Sequence, residues 1–382
     1  MCSSDLDDTI DIQAGAGDDT IDGGDGDDAI EAGAGDDTIE GGDGDDYIDG
    51  WSGNDVIDGG AGDDEILGYD GDDTIEGRAG DDILEGEDGD DVITGGSGDD
   101  DIDGDAGDDT ITGGAGDDTI DGGANNDIAI FAGNQSDYTF ESSADGLTVT
   151  ITDTVNNDID TVTGVETLRF DDGDIAVSLD ANGLVLTGDT TGDDITIVGM
   201  VPVTVLGADG DDVIVGGSDD DTIEGNAGAD TITGGTGDDD IEGGSGSDTV
   251  VFAGNKGDFT FAVASDGTLT VTDVGTGNTL GVDTVSGVET LSFADGDLTV
   301  TTLAGGAVTL TGSGADDVIT IGDGLSSGLT AEYYTGTGGN GNFSAGTLYT
   351  TRTDATINFE QMWDGALPSN SSSGNNNFAV RW

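Results

Sequence analysis

The chain has 382 residues, of which 86 are Asp or Glu, 5 are Lys or Arg, none is His and 33% are hydrophobic. A formal net charge of -81 with so little apolar material is typical of a disordered chain. The same charge repels phosphate and anionic lipid, so we expect no nucleic-acid binding and no membrane insertion, and cations are the natural partners.

We expect no targeting signal in the first residues given. Residues 1–8, MCSSDLDD, lack a charged region followed by an apolar run, and no stretch approaches the roughly 18 apolar residues of a membrane span. We interpret residues 1–13 as a lead-in and expect the natural N-terminus to lie upstream. Because Cys2 is the only cysteine, no intrachain disulfide can form, and bound metal is the obvious substitute.

A nine-residue repeat occupies residues 14–130 without an insertion. The segment GAGDDTIDG at 15–23 returns unchanged at 114–122. Position six of the nonad is Asp in all thirteen copies, and position eight is Ile or Leu in twelve. Positions one and four are nearly always Gly. A disordered chain does not keep such a register, so the composition has another explanation.

The pattern predicts that each nonad forms a tight six-residue turn followed by a three-residue strand, such as TID at 20–22. Only the middle residue of that strand is expected to be buried. One buried residue cannot stabilise a unit alone, but stacking the units into a solenoid makes a continuous apolar row.

Two nonads per coil would place residues 18 apart above one another at about the 4.8 Å strand spacing. Asp19 would then lie over Asp37, and Asp28 over Asp46. Carboxylates stacked this closely repel each other unless a hard cation lies between them. Calcium takes roughly six to eight oxygen ligands, which carboxylates and the carbonyls of the turns can supply. The repeat therefore predicts calcium binding.

The segments GGDGDDAIE (23–31) and GGAGDDTID (113–121) follow the pattern G-G-x-G-x-D-x-U-x, and on these motifs the chain resembles the RTX family. The resemblance implies a calcium-stabilised parallel β-roll in which the position-six Asp supplies a ligand shared between coils on one edge. Thirteen nonads contain eleven such pairs, hence up to eleven ions. The predicted ligands are Asp19, Asp28, Asp37, Asp46, Asp55, Asp64, Asp73, Asp82, Asp91, Asp100, Asp109, Asp118 and Asp127.

Positions five and nine of the nonad are also often acidic. We interpret these side chains as a solvated surface that keeps the chain soluble, with weak cation sites as the alternative. Examples are Asp18, Asp27 and Asp36 at position five, and Asp22, Glu31 and Glu40 at position nine.

Position two carries aromatic residues at Trp51 and Tyr69, which are 18 residues apart. We expect the two rings to pack on each other over the turns. Stacking on a sugar ring or anchoring a partner chain is the alternative. Arg78, also at position two, is expected to relieve local negative charge.

A second array of five nonads spans residues 207–251 and contains three complete pairs. Its predicted ligands are Asp212, Asp221, Asp230, Asp239 and Asp248. Weaker copies at 188–196 and 312–320 add Asp193 and Asp317 as lesser candidates. They belong to linkers with degenerate repeats at 179–206 and 301–327.

Each array is followed by a copy of a longer duplication. FAGNQSDYTF (131–140) matches FAGNKGDFTF (252–261), and VTGVETLRF (162–170) matches VSGVETLSF (285–293). Alternating apolar and polar residues between these motifs predict half-buried strands. We interpret 131–178 and 252–300 as small antiparallel β caps that cover the last apolar row, with a private ligand site as the alternative.

Residues 328–382 break the acidic pattern. GLTAEYYTGTGG and NNFAVRW resemble the opening of a PA14 domain, which implies a partial β-sandwich. Only about 55 residues are present, so we carry over the fold and no glycan site. We expect the chain to be a piece of a longer protein.

The sequence thus predicts an all-β chain of two β-roll arrays (β-solenoids), two β caps and a partial sandwich. The function that follows is a calcium-binding spacer of a large secreted bacterial surface protein or adhesin, which folds in extracellular calcium. The resemblance suggests a type I secretion route, and cell-surface glycans or other copies of the chain are candidate partners.

Two other functions are open. One is a self-assembling filament or surface-layer subunit, and the other is the non-catalytic region of a secreted enzyme such as a glycosidase. We predict no intrinsic catalysis. The chain has no His for a catalytic triad or an H-E-x-x-H zinc site. Its few apolar residues are needed for the solenoid row, so none are left to form the pocket that a glycosidase acid requires.

Overall fold

The computed structural model describes residues 11–144, 146–179, 183–264, 266–276, 279–302, 308–312 and 320–321. The predicted PA14-like segment, Asp317 and most of the lead-in lie outside the described residues. Two compact units, Met1–Ser218 and Asp219–Trp382, make up the chain. Their boundary falls inside the second repeat array.

The described residues of the first unit form strands and one short 3-10 helix, Gln135–Asp137. The strands are β1 Asp11–Ala16, β2 Thr20–Asp25, β3 Ala29–Ala34, β4 Thr38–Asp43, β5 Tyr47–Ser52, β6 Val56–Ala61, β7 Glu65–Asp70, β8 Thr74–Ala79, β9 Ile83–Asp88, β10 Val92–Ser97, β11 Asp101–Asp103, β12 Thr110–Ala115, β13 Thr119–Asp121, β14 Ile128–Ile130, β15 Tyr138–Ser142, β16 Thr148–Asp153, β17 Ile159–Thr163, β18 Thr167–Arg169, β19 Asp174–Leu179, β20 Leu184–Thr187, β21 Asp194–Thr196, β22 Thr204–Leu206 and β23 Val213–Ser218.

The first array is a parallel β-solenoid. Each strand pairs in parallel with the strands two before and two after it, so β1 to β13 form one sheet from the odd-numbered strands and β2 to β14 form another from the even-numbered ones. Ile48 pairs with Ile66, and Ile39 with Ile57. Both pairs are separated by 18 residues, which confirms the predicted coil of two nonads.

The strands are longer than predicted. Most cover six residues, from position seven of one nonad to position three of the next, as in β4. The prediction of a six-residue turn and a three-residue strand was wrong because the residues after the bend also pair with the next coil, as Gly42 does with Gly60. Position two bends the strand with a positive φ, 124° at Gly42, which glycine adopts at little cost.

In the first array, the core contains a carboxylate as well as an aliphatic side chain in every nonad after the first. Position-eight residues such as Ile48 and Ile66 are fully buried, as predicted. Position-one glycines are buried beside them, and so are the position-six aspartates. Burying an ionised group is costly unless it is paired, so these carboxylates need compensation.

The first cap continues the solenoid before it turns antiparallel. β17 pairs in parallel with β13, and β18 pairs in parallel with β14. From there β15, β16 and β17 form one antiparallel sheet, and β18, β19 and β20 form another. Four packed rings fill the cap: Phe131, Tyr138, Phe140 and Phe170. The predicted antiparallel strands are present, and the parallel junction is an addition to the prediction.

The second unit repeats this plan. Its strands are β24 Thr222–Glu224, β25 Ala227–Gly228, β26 Thr231–Thr236, β27 Asp240–Glu242, β28 Ser245–Gly246, β29 Thr249–Val251, β30 Phe259–Val263, β31 Leu269–Asp273, β32 Val282–Ser286, β33 Thr290–Ser292, β34 Leu298–Thr302, β35 Val308–Gly312 and β36 Thr320–Ile321, with a 3-10 helix at Lys256–Asp258. β32 and β33 pair in parallel with the array strands β27 and β29, and antiparallel with β31 and β34. In the parts of the chain that the structure describes, no helix is long and apolar enough to cross a bilayer.

Candidate metal centre

The position-six carboxylates form a ladder along the solenoid. The backbone N–H of Asp55 donates to Oδ1 of Asp73 at 2.7 Å, and that of Asp73 donates to Oδ1 of Asp91 at 2.7 Å. All eleven pairs of the first array have this bond, at 2.6 to 2.9 Å. The aspartates that the sequence placed above one another are therefore in direct contact. In each pair, Oδ1 of the later aspartate accepts a hydrogen bond from a backbone N–H of the preceding coil.

In most of these carboxylates the other oxygen has no hydrogen-bond donor. From Asp28 to Asp127 the position-six residues are at most 3% exposed. A buried carboxylate oxygen with no donor is strongly unfavourable, so each points to a missing positive charge. Among the described residues, Oδ2 is buried and has no hydrogen-bond donor in Asp37, Asp46, Asp55, Asp64, Asp73, Asp82, Asp91, Asp100, Asp109, Asp118, Asp127, Asp239 and Asp248.

A backbone carbonyl lies close to many of these oxygens, from Asp46 to Asp109. A Cβ atom placed on Gly68 would lie 2.5 Å from Oδ2 of Asp73 and 2.9 Å from the carbonyl oxygen of Gly86. On Gly104 it would lie 2.6 Å from Oδ2 of Asp109. Carboxylate and carbonyl oxygens thus converge beside the position-one glycine, where a methyl group would be too close to both. These are the ligands that calcium prefers, and the residues present fit the ion.

Side chains alone do not complete a site. Within the described ranges, no three Asp, Glu or Cys side chains surround a common point. The reason is geometric: one oxygen of each position-six carboxylate is committed to an amide, and neighbouring coils contribute only one such carboxylate each. Backbone carbonyls of the turns would have to supply the rest of the calcium shell.

Burial changes the acidity of the ladder. It raises the pKa of Asp64, Asp91 and Asp100 to about 7, with neighbouring carboxylates adding to the effect. Each carboxylate also accepts a backbone N–H of the preceding coil, and this hydrogen bond lowers its pKa and so opposes the rise. The same causes raise the pKa of Asp55 and Asp73 to about 6. Without a cation, these groups hold protons close to neutral pH.

A second ladder runs along the outside. The backbone N–H of Asp63 donates to Oδ1 of Asp45 at 3.0 Å, and that of Asp81 donates to Oδ1 of Asp63 at 2.9 Å. These position-five side chains are exposed, and each accepts a backbone N–H of the following coil. The position-six side chains instead accept a backbone N–H of the preceding coil. Our interpretation of position five as a solvated surface missed this structural role. The adjacent pair of acids in nearly every nonad was the available signal.

The second array has the same inner ladder within the second unit. The N–H of Asp221 donates to Oδ1 of Asp239 at 3.0 Å, and that of Asp230 donates to Oδ1 of Asp248 at 3.1 Å. In the first unit, Oδ1 of Asp212 accepts the N–H of Asp193 at 2.9 Å.

Asp193, the lesser candidate, differs from the array aspartates. Its Oδ1 accepts from Nε2 of Gln135 at 2.8 Å, and its Oδ2 accepts from the N–H of Asp189 at 2.9 Å. Both oxygens of Asp193 therefore accept a hydrogen bond, so Asp193 lacks the buried oxygen without a donor that recurs along the first array.

The position-two side chains behave as expected. The rings of Trp51 and Tyr69 stack with centroids 5.8 Å apart and planes at 25°. Arg78 forms ion pairs with Asp58 and with Glu76. Both Trp51 and Tyr69 have positive φ, 74° and 73°, so the glycine pattern imposes strain on the residues that replace glycine.

The first cap contains an open cavity of about 300 Å³. Its wall is mainly aliphatic, with Leu147, Leu168 and Leu184 among the lining residues, and Glu166 is the one charged residue in it. Oε2 of Glu166 already accepts the N–H of Asp127 at 2.9 Å. The cavity therefore offers few polar groups to a ligand.

One family model matches the repeats. The family model for the RTX calcium-binding nonapeptide repeat matches residues 11–39, 31–66, 67–102, 94–129, 204–232 and 215–250. Among solved structures, the crystal structure of the extracellular lipase LipA from Serratia marcescens matches with 22% identity over 59% of this chain, at a TM-score of 0.24. The match spans 38% of the lipase chain. The comparison with curated proteins gives no match.

Proposed function

We propose that this RTX-repeat chain, whose nonapeptides bind multiple calcium ions, is a calcium-folded structural spacer of a secreted bacterial surface protein. One observation carries the proposal: in the row of buried position-six carboxylates from Asp37 to Asp127, each carboxylate has one oxygen held by a backbone amide and one buried oxygen without a donor. While its carboxylates are ionised, a row of this kind is stable only when positive charge is supplied along it.

The proposed ligands are the position-six aspartates and the carbonyls beside them. Oδ2 of Asp73 and the carbonyl of Gly86 exemplify the pair that would hold an ion. Bound calcium would supply the charge that neutralises the ladder. The chain contributes the rest: amides of the preceding coil fix each carboxylate, and position-one glycines keep the space open.

Coupling between binding and folding follows from this arrangement. The sites exist only when coils are stacked, so the free energy of binding becomes free energy of folding. RTX proteins are typically secreted, and such a β-roll is typically structural. In a compartment with little calcium, the net charge of -81 would keep the chain extended and suited to type I export. Extracellular calcium would then fold it into a spacer.

The test is circular dichroism of the whole chain in chelator, followed by titration with calcium. We expect a coil spectrum that converts cooperatively to β structure. Potassium chloride at equal ionic strength is the control, because screening alone should leave the coil largely unchanged. A β spectrum in chelator that calcium does not alter would contradict the proposal.

A further inference from the structure

The caps extend the carboxylate ladder beyond the repeats. Because β17 pairs with β13 at Thr119 and Thr161, Asp160 lies where position six of the next coil would be, over Asp118. Likewise β18 pairs with β14, which places Glu166 over Asp127. The separations are 42 and 39 residues rather than 18, so the nine-residue period does not show them.

Both cap residues make the bond that defines the ladder. Oδ1 of Asp160 accepts the N–H of Asp118 at 3.0 Å, and Oε2 of Glu166 accepts the N–H of Asp127 at 2.9 Å. Asp160 is 8% exposed. Beside them, Oδ2 of Asp118 and Oδ2 of Asp127 are buried and have no donor, as in the array.

The row of backbone carbonyls beside the ladder continues into the cap as well. A Cβ on Gly122 would lie 2.6 Å from the carbonyl oxygen of Gly164, just as one on Gly104 would lie 2.7 Å from that of Gly122. Gly164 therefore stands in the place of a position-one glycine. In a nonad, four residues lie between position one and position six, but only Val165 lies between Gly164 and Glu166. The longer side chain of Glu compensates for this shorter turn.

The second unit shows the same construction independently. Oδ1 of Asp283 accepts the N–H of Asp239 at 3.1 Å, and Oε2 of Glu289 accepts the N–H of Asp248 at 3.0 Å. A Cβ on Gly243 would lie 2.5 Å from the carbonyl oxygen of Gly287. The two segments, DTVTGVETL at 160–168 and DTVSGVETL at 283–291, differ at one residue. Both lie outside the residues that the family model matches.

We infer that Asp160 and Glu166, and their counterparts Asp283 and Glu289, are calcium ligands that close the last coil of each array. The inference rests on the proposed function, since it assigns additional sites to the same ladder. Calcium bound there would tie each cap to its array, so that a cap covers the apolar end only when the array is loaded.

The test counts bound calcium in the full chain by calorimetry and native mass spectrometry. The variants are Asp160→Asn and Glu166→Gln, alone and together. Both keep an oxygen that can accept the amide and remove one charge. We expect the double variant to lose two ions from the total, while Asp171→Asn, an exposed residue of the same cap, retains the full number.

Glu166→Asp is the second probe, because it keeps the charge and shortens the side chain. If the length of the Glu166 side chain is needed to contact the ion, Glu166→Asp loses one calcium site, as Glu166→Gln does. A calcium count in the double variant equal to that of Asp171→Asn would overturn the inference while leaving the proposed function intact. A parent chain that binds no calcium would overturn the proposed function itself.

Discussion

The backbone N–H of Asp55 donates to Oδ1 of Asp73, eighteen residues later, and leaves Oδ2 of Asp73 buried without a donor. The two oxygens of one carboxylate thus have different roles. One holds adjacent coils in register, and the other is available to a cation. A change that affects only one of these roles can separate register from metal binding.

Asp73→Asn should weaken calcium binding while preserving the fold. The amide oxygen of Asn can still accept from Asp55, but the charge at the cation side is lost. We expect binding at the neighbouring sites to weaken roughly tenfold or more, which corresponds to at least about 1.4 kcal/mol. Calorimetric titration measures the effect.

Its matched control is Asp72→Asn, which removes the same charge from the exposed position-five ladder. This change should alter stability by no more than about 0.5 kcal/mol. If both variants weaken calcium binding equally, overall charge rather than position six would account for affinity.

Gly68→Ala should place a methyl group between the two oxygens that we propose bind calcium, Oδ2 of Asp73 and the carbonyl oxygen of Gly86. Its Cβ would lie 2.5 Å from Oδ2 of Asp73, although the backbone conformation itself is available to Ala. We expect about 1–3 kcal/mol of destabilisation from overpacking, together with a higher calcium concentration at the folding midpoint. Gly257→Ala is the control, since a Cβ there meets nothing within 4 Å. Equal midpoints in the two variants would contradict a site at Gly68.

Acid should partly replace calcium. The folded-state pKa of Asp64, Asp91 and Asp100, about 7, lies above the ordinary value of 3.8 because of burial. The protonated groups therefore stabilise the metal-free fold fully below the ordinary pKa, and this stability is lost as pH rises through about 7. Calcium needs the ionised groups, so its binding should weaken as pH falls.

Circular dichroism of metal-depleted chain should accordingly show more β structure at about pH 4.5 than at about pH 8. The calcium concentration at the folding midpoint should rise as the pH falls from about 8 to about 5.5. If this calcium concentration stays constant over the interval, calcium does not displace protons from the buried carboxylates.

Glu87→Gly should stabilise the calcium-loaded chain. Glu87 occupies position two with a φ of 73°, where most nonads have glycine, and its charge raises the pKa of nearby Glu85 and Asp105 after the larger effect of burial. We expect a net gain of about 0.5–1 kcal/mol, because relief of strain exceeds the entropy that glycine adds to the unfolded chain. Glu87→Gln removes the charge and keeps the strain. The thermal unfolding midpoint of Glu87→Gly should be higher than that of Glu87→Gln. The reverse order would show that backbone strain at position two is negligible.

The unbroken nine-residue period determined much of this protein. Every copy has the same register, so the partner of Ile48 follows from adding two nonads, and the row of position-six aspartates follows with it. The same arithmetic placed Trp51 beside Tyr69. Chemistry then favoured a hard cation, because a stacked row of carboxylates has few other means of stabilisation.

Only the tertiary structure decided how the acids are used. Positions five and six are adjacent and both acidic, and the turn directs Asp72 outward and Asp73 inward, which composition does not reveal. The carboxylates of the caps, Asp160 and Glu166, join the ladder through contacts 42 and 39 residues apart. A repeat specifies partners only at its own period, whereas these contacts depend on where the chain returns after folding the intervening strands.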